Sequence, residues 1–549
     1  MVIMIRKLFL CAASFICLPL FGQFTSTEFP PPGPQQFAGF GRSIAALGDV
    51  NNDGVADILV GASSEDVGGT VDVGRVYAIS GADGSELYSV ATSNPQQFGI
   101  FGFAMATADL TGDNILDLVI GSSEDVNGVS NAGRVYTFNG INGDFLYTVE
   151  TPAPEQFAWF SRTLSGLGDL NNDGHDDFAV GSGESAGAVA SGRVYVYSGL
   201  DGTFLYSIES ANPNTDGTFG LALSSIDDLN GDGLKDLLIG SQETPDTLDR
   251  SGRAYVHSGS DGALIYTLDS ENPALNGKFG WSVADAGDVN GDGTHDIAVG
   301  SEEPFDGFSQ SGRAYLFSGA DGSYLYDVGS PAPDFVDWFS RAISSVGDIN
   351  GDSRDDLLIG APFDDVGATL NAGQAYLVSG ADGAILDSLA TPNPQFEGLF
   401  GFSLVGNWNS SQLSDVDVMI SAYRENIGSA LNAGRIYRFR SMETSIERHE
   451  YLLPLTAALE QNYPNPFNPT TKIRWRVTSS GGKNVLLRIF DVMGRSVRTL
   501  VNEQSSVGVF EASWDGRDKN GNLMPSGVYL YQLKIGNSFT QSKKMLLIR

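Results

Sequence analysis

The sequence predicts an all-β protein: a seven-bladed β-propeller followed by a small immunoglobulin-like β-sandwich. Three observations lead there. The stretch GDVNNDGVADILVG, Gly48 to Gly61, recurs along the chain. Its leading aspartates, Asp49, Asp109, Asp169, Asp228, Asp288 and Asp348, lie 59 or 60 residues apart, and a worn seventh copy starts at Gly406-Asn407. A fixed period of this length marks repeated supersecondary units that bury their faces against each other. Within each period, short runs of Val, Ile, Tyr and Phe alternate with Gly/Asp/Asn turns, four runs per repeat. Four antiparallel strands repeated seven times is the pattern of a propeller.

In chain order, residues 1–22 read as a secretory signal: Arg6 and Lys7 form the basic end and Leu8 to Leu20 the apolar run. That run is short of the ~20 residues a membrane span needs. Cys11 and Cys17, the only cysteines, fall inside it, so disulfides cannot hold the exported chain together. Next comes an unassigned segment, Phe24–Pro31. Pro34-Gln35-Gln36-Phe37 matches Pro95-Gln96-Gln97-Phe98, which places the segment where a fourth strand belongs. The seventh repeat stops after Gly434–Ser441 without a fourth strand, so Phe24–Pro31 is expected to complete the last blade and remove an open edge.

The first repeat predicts strands at Arg42–Asp49, Ala56–Ala62, Gly74–Ser80 and Ser85–Ala91. The tight turn Gly81–Gly84 joins the third to the fourth, as a hairpin requires. Strand alternation puts the loops between first and second strands on one face, and the loops between second and third strands on the other. The opposite face then receives acids (Glu65, Asp66, Glu124, Asp125, Glu302, Glu303, Asp364, Asp365) and aromatics (Phe157, Trp159, Trp281, Phe335 to Phe339). These aromatics have two readings, packing between blades or a binding surface around the channel mouth.

The loop between first and second strands carries oxygen side chains at positions 1, 3, 5 and 9. The candidate ligands are Asp49, Asn51, Asp53 and Asp57; Asp109, Thr111, Asp113 and Asp117; Asp169, Asn171, Asp173 and Asp177. The last three loops offer Asp228, Asn230, Asp232 and Asp236; Asp288, Asn290, Asp292 and Asp296; Asp348, Asn350, Asp352 and Asp356. Calcium takes six to eight oxygens at flexible angles, and four side chains, the carbonyl of position 7 and water would supply them. About six calcium ions are therefore expected. An EF-hand is excluded, because position 12 is apolar in every copy and a strand follows the loop. The seventh loop has Ser411 at position 5 and reads as metal-free. Asn114 and Ser353 replace the turn glycine in the second and sixth loops, which predicts weaker sites there.

The repeat resembles the FG-GAP repeat of integrin alpha-subunit propellers. The FG element stands at Phe40-Gly41, Phe101-Gly102, Phe219-Gly220, Phe279-Gly280 and Phe400-Gly401, and as Phe160-Ser161 and Phe339-Ser340. GAP is literal at Gly360-Ala361-Pro362. The resemblance covers residues 24–440 and implies seven blades with calcium in the loops between first and second strands. No adhesion domain interrupts the repeats, so the integrin ligand mechanism does not carry over.

A linker, 441–456, precedes a region 457–549 of alternating runs between turns, a small β-sandwich. It resembles the C-terminal sorting domain of proteins exported by type IX secretion. The carrying residues are Tyr463-Pro464-Asn465-Pro466-Phe467, Asp491 to Arg495, Gly527-Val528-Tyr529 and Lys543-Lys544. The resemblance implies an outer-membrane exporter as partner and a secreted or cell-surface location.

The chain has a net charge of −35, concentrated in the repeats. An acidic body argues against nucleic acid or an anionic membrane as partner. His175, His257, His295 and His449 form no zinc spacing. Gly183-Glu184-Ser185-Ala186-Gly187 lacks the strand–helix elbow of a hydrolase. The expectation is a monomeric, non-enzymatic surface binding or adhesion module with an extracellular protein or glycan ligand. A polysaccharide-binding or polysaccharide-active propeller is the alternative.

Overall fold

The computed structural model describes residues 24–184, 191–213, 217–245, 249–334, 336–406, 416–441, 457–459, 462, 464–477, 483–491, 495–505, 508–535 and 539–549. The signal segment, the seventh loop from Asn407 to Asp415, the linker, Tyr463 and most of the Gly183–Gly187 motif lie outside them. The chain divides into two units, Met1–Glu443 and Thr444–Arg549.

The first unit contains seven four-stranded antiparallel sheets. In the first blade the strands are Phe40–Gly48, Asp57–Ala62, Arg75–Ile79 and Glu86–Val90, within two residues of the expected bounds. Innermost first strands touch from blade to blade and back to the start, closing the ring. Second strands such as Asp57–Ala62 are buried at every position, because both faces meet a neighbouring blade. The cores therefore lie between blades: Leu59 and Val76 of the first pack with Leu118, Ile120 and Tyr136 of the second.

The ring closes with the N-terminal strand. Phe24–Phe29 pairs antiparallel with Arg435–Ser441, from Phe24 opposite Ser441 to Phe29 opposite Ile436. The last blade is thus built from both ends of the propeller segment, and its outer edge is covered.

The FG element is a docking device. A Cβ at Gly74, at φ +88°, would overlap the carbonyl oxygen of Phe101 in the next blade. The same holds for Gly252 against Phe279 and for Gly434 against Phe40, across the closing seam. Ser161 and Ser340, which replace the FG glycine, sit at φ 82° and 75°. The Ser340 hydroxyl offsets that strain by donating to the carbonyl of Arg313 at 2.7 Å.

The acidic loop on the second-to-third-strand face differs from expectation. Glu65, Glu124, Glu302, Glu303 and Asp364 are buried, and so are Glu184, Glu243 and Glu425. Tyr77 donates to Glu65 at 2.6 Å and Tyr136 to Glu124 at 2.7 Å, and Tyr195, Tyr255, Tyr315, Tyr376 and Tyr437 repeat the pair with Glu184, Glu243, Glu303, Asp364 and Glu425. Thr92, from the preceding blade, donates to the same Glu124. Each tyrosine–acid pair braces its own blade, and Thr92, Thr151, Ser210 and Thr391 tie four of the acids to the blade before; Asp66 and Asp125 stay exposed as expected. Burial pushes Glu303 and Asp364 up to about 7.

The second unit has one sheet of Ala457–Leu459, Thr471–Val477 and Gly508–Trp514, and another of Lys483–Asp491, Ser496–Ser505, Gly527–Ile535 and Phe539–Leu547. Trp475, Trp514, Tyr531 and Leu487 fill the space between them. Phe467 is 2% exposed and locks the last strand: its N–H donates to the Leu546 carbonyl, and its carbonyl accepts from Ile548, both at 2.9 Å.

Candidate metal loops and channel mouth

The six acidic loops fold alike. In the first, the Asp49 carboxylate accepts the N–H of Asp53 at 3.0 Å and of Gly54 at 2.8 Å. Asn51 Oδ1 accepts from Asp53 at 2.8 Å, and Asp53 Oδ1 accepts from Val55 at 2.9 Å. Asp57 Oδ2 accepts from Val50 at 3.0 Å, while its Oδ1 accepts from Gly81 in the turn between third and fourth strands at 3.1 Å. Asp117, Asp177, Asp236, Asp296 and Asp356 reach that turn in their own blades, at Gly140, Gly199, Gly259, Gly319 and Gly380.

Position 9 is thus a buried hub that ties two turns together, a role spacing alone did not reveal. Burial, against the pull of its backbone donors, pushes Asp177, Asp296 and Asp356 up to about 6, and each position-5 aspartate raises its neighbour further. A second feature is legible in the sequence itself. Position 4 is Asn or Gly in all six loops because it is left-handed, at φ 58° in Asn52, 62° in Asn172 and 80° in Gly231. Ser353 is held at φ 69° at position 6.

The donor set fits a hard cation in kind, since every side chain is an oxygen donor and each carboxylate keeps lone pairs beyond its N–H contacts. In the second loop Thr111 Oγ1, the expected position-3 ligand, is buried without a hydrogen-bond partner. Among the described residues, however, no three His, Cys, Asp or Glu side chains converge closely enough to hold a metal ion. As folded, the carboxylates turn to the loop's own amides.

The seventh blade solves the same charge problem differently. Asp417, which corresponds to Asp57, meets Arg438, whose Nε donates at 2.8 Å. Both are buried, at 2% and 6% exposure. Arg438 Nη1 also donates to the Gly81 carbonyl of the first blade at 2.6 Å. The corresponding residue of the first blade is Ala78, so this guanidinium is particular to the blade with the worn loop.

The opposite mouth carries aromatic and cationic groups. Phe157 and Trp159 are 59% and 46% exposed, and Phe37, Phe98 and Phe396 are exposed likewise. Phe339 is fully buried, and Trp281 and Trp338 pack on each other with ring centroids 6.1 Å apart. Both readings of the aromatics therefore hold, for different residues; Phe335 lies outside the described set. The residue after each FG element is Arg42, Phe103, Arg162, Leu221, Trp281, Arg341 or Phe402.

The described histidines have local partners. His175 contacts the Leu110 carbonyl at 2.8 Å, His257 the Gly262 carbonyl at 2.9 Å, and His295 the Asp285 carboxylate at 2.9 Å.

The comparisons with known proteins agree with this geometry. The FG-GAP repeat family matches residues 40–79, 101–138 and 341–378, and the FG-GAP-like repeat family matches 169–239 and 228–299. The first unit is an FG-GAP β-propeller. The FlgD Ig-like domain family matches residues 462–538, in the sandwich. Integrin alpha-5 of Xenopus laevis is 28% identical over 235 residues, 40% of this chain and 21% of its own. Integrin alpha-2 of Bos taurus is 30% identical over 242 residues, 40% of this chain and 20% of its own. The chain thus spans about a fifth of these relatives' length. A solved structure of PorZ, a bacterial surface component of the type-IX secretion system of Porphyromonas gingivalis, aligns over 90% of this chain and 58% of its own, with 14% identity and a TM-score of 0.41.

Proposed function

We propose that this protein is a secreted, cell-surface binding or adhesion module: a non-enzymatic propeller that displays a ligand-binding face and is stabilised by calcium on the other. The observation that carries this reading is the difference between the two faces. One holds six near-identical oxygen-lined loops; the other exposes Phe37, Phe98, Phe157, Trp159 and Phe396, rings that a monomer gains nothing by leaving in water.

Calcium would be held by positions 1, 3, 5 and 9 of each loop, and when bound would neutralise the acids crowded there. The residues themselves set the turn, with position 9 fastening it to the neighbouring hairpin. The sandwich is proposed to direct export by type IX secretion, supported by the Asn465-Pro466-Phe467 motif clamped on the last strand. The test is display on cells. The full chain should reach the surface and bind extracellular matrix or glycan arrays, whereas a chain lacking residues 464–549 should stay in the periplasm. Surface display of the truncated chain would refute the sorting role, and an array without binding would refute the module.

A further inference from the structure

Two arginines at the channel mouth, Arg42 and Arg341, are half-buried against aromatic rings with no carboxylate within ion-pair distance among the described residues. Arg42 Cζ lies 4.5 Å from the ring centroid of Phe103 in the second blade, and 4.5 and 5.4 Å from those of Phe402 and Tyr423 in the seventh. Arg341 Cζ lies 4.4 Å from the same Phe402 centroid and 5.5 Å from that of Trp281. Cation–ring contacts thus link five consecutive blades, the fifth through the second, across the seam. Sharing Phe402 holds the two guanidinium carbons no more than about 9 Å apart.

Neither side chain has an ion-pair or hydrogen-bond partner among the described residues, and Arg341 Nε is fully buried and unpartnered. A guanidinium carries five N–H donors, and leaving them unpaired away from water is costly. Ring faces offset part of the charge but accept no in-plane N–H bonds. Burial lowers Arg341 to about 10 and Arg42 lowers it further by like charge, while the Glu302 carboxylate, itself paired with Lys278 at 2.8 Å, offsets only part of this. Arg42 lines a recess of about 470 Å³ together with Ser63, Ser64, Tyr423, Asn432 and a further cation, Arg424, while Arg341 stands outside that recess behind Phe402.

We propose that Arg42 and Arg341 form an anion-binding site at the channel mouth, and that its ligand is an acidic saccharide whose carboxylate or sulfate pairs with the guanidinium forks. Planar forks match carboxylate and sulfate geometry. The exposed rings sit one or two to a connection, leading into the first, second, third and seventh blades, rather than gathered into one apolar patch. That spacing suits a ligand that repeats itself and offers a C–H face to a ring's negative face. A folded protein partner would want a contiguous apolar centre. The net charge of −35 opposes a polyanion at long range, but at physiological ionic strength that field decays within about 8 Å. This inference rests on the binding-module reading and names the ligand of its open face.

The test uses the full chain with a uronic-acid oligosaccharide, its carboxyl-reduced neutral counterpart and an acidic peptide, read by calorimetry alongside melting temperatures. The oligosaccharide should bind, and carboxyl reduction should weaken it roughly tenfold or more. Arg42→Gln and Arg341→Gln should each weaken binding to a similar degree, and Arg341→Lys should keep part of it. Oligosaccharide binding unmoved by carboxyl reduction, or by both substitutions with melting unchanged, would overturn the proposal and leave the binding module standing. Preference for the acidic peptide would overturn the saccharide assignment. Failure to bind the probe, with a large loss of melting temperature in both variants, would make the arginines structural braces. Failure to bind any array ligand would remove the module reading as well.

Discussion

The first six blades and the seventh place an aspartate at the same point and surround it differently. Asp57, Asp117, Asp177, Asp236, Asp296 and Asp356 start their second strands fully buried, each close to further aspartates of its loop. Asp417 is equally buried, but Arg438 reaches across to it. The worn loop and the new arginine occur in the same blade. The difference teaches that one buried carboxylate can be met in two ways, by N–H donors alone, mostly of the backbone, in six blades and by a guanidinium in the seventh. Where the loop has lost its acids, the chain supplies a positive partner covalently; where it keeps them, an external cation is the proposed one.

The largest test removes the proposed external cation. Extracellular calcium sites of ~0.1–1 mM affinity, at about ten times that concentration, each add roughly 1.4 kcal/mol by mass action, so six could add roughly 8 kcal/mol. Chelation should lower the melting temperature markedly, with magnesium a poor rescuer. Asp232→Ala should lose about one ion per chain by mass spectrometry. A melt indifferent to chelator would erase the contrast between blades.

Next is the covalent cation. Arg438→Ala leaves the buried Asp417 with only the exposed Arg440, at 3.4 Å, as a cationic partner, at a cost of about 3 kcal/mol, the low end for a broken buried pair, that calcium should not restore. Denaturant unfolding of Arg438→Ala and of the double variant with Asp417→Ala would measure it. A double variant no more stable than the single one would show that Asp417 does not need the arginine.

A third test uses a strut common to all blades, which metal should not touch. Glu303 sits at about 7 in the folded chain against 4.5 for an ordinary glutamate. A raised carboxylate contributes stability that is fully present below about 4.5 and lost as pH rises through about 7, a few kcal/mol in all. Glu303→Gln should flatten the fall in melting temperature between pH 5 and 8, with or without chelator. An unchanged slope would place Glu303's titration elsewhere.

The smallest effect belongs to Ser353, held left-handed at φ 69°. Ser353→Gly should stabilise the sixth blade by about 1 kcal/mol, and the same change should raise that loop's ion occupancy. Equal stability would mean that the loop relaxes around the serine.

The sequence by itself determined the repeat, the strand order, the ring closure and the loop donors. The 59- or 60-residue period, the alternation of runs and the Asp/Asn/Gly spacing are local patterns, each set by backbone geometry within one blade. Even the left-handed position 4 was written there, as Asn or Gly six times over. Only the tertiary structure decided what faces what. Glu303 looks like a surface acid until Tyr315 is found donating to it. Arg438 looks like an exposed strand residue until the neighbouring blade's Gly81 carbonyl lies beside it. Arg42 and Arg341 are 299 residues apart in the chain and meet at Phe402 only because the ring closes. Tyr315 and Glu303 share a blade, but the contacts of Arg438, Arg42 and Arg341 run between blades, where burial and charge pairing depend on distances that no local pattern encodes.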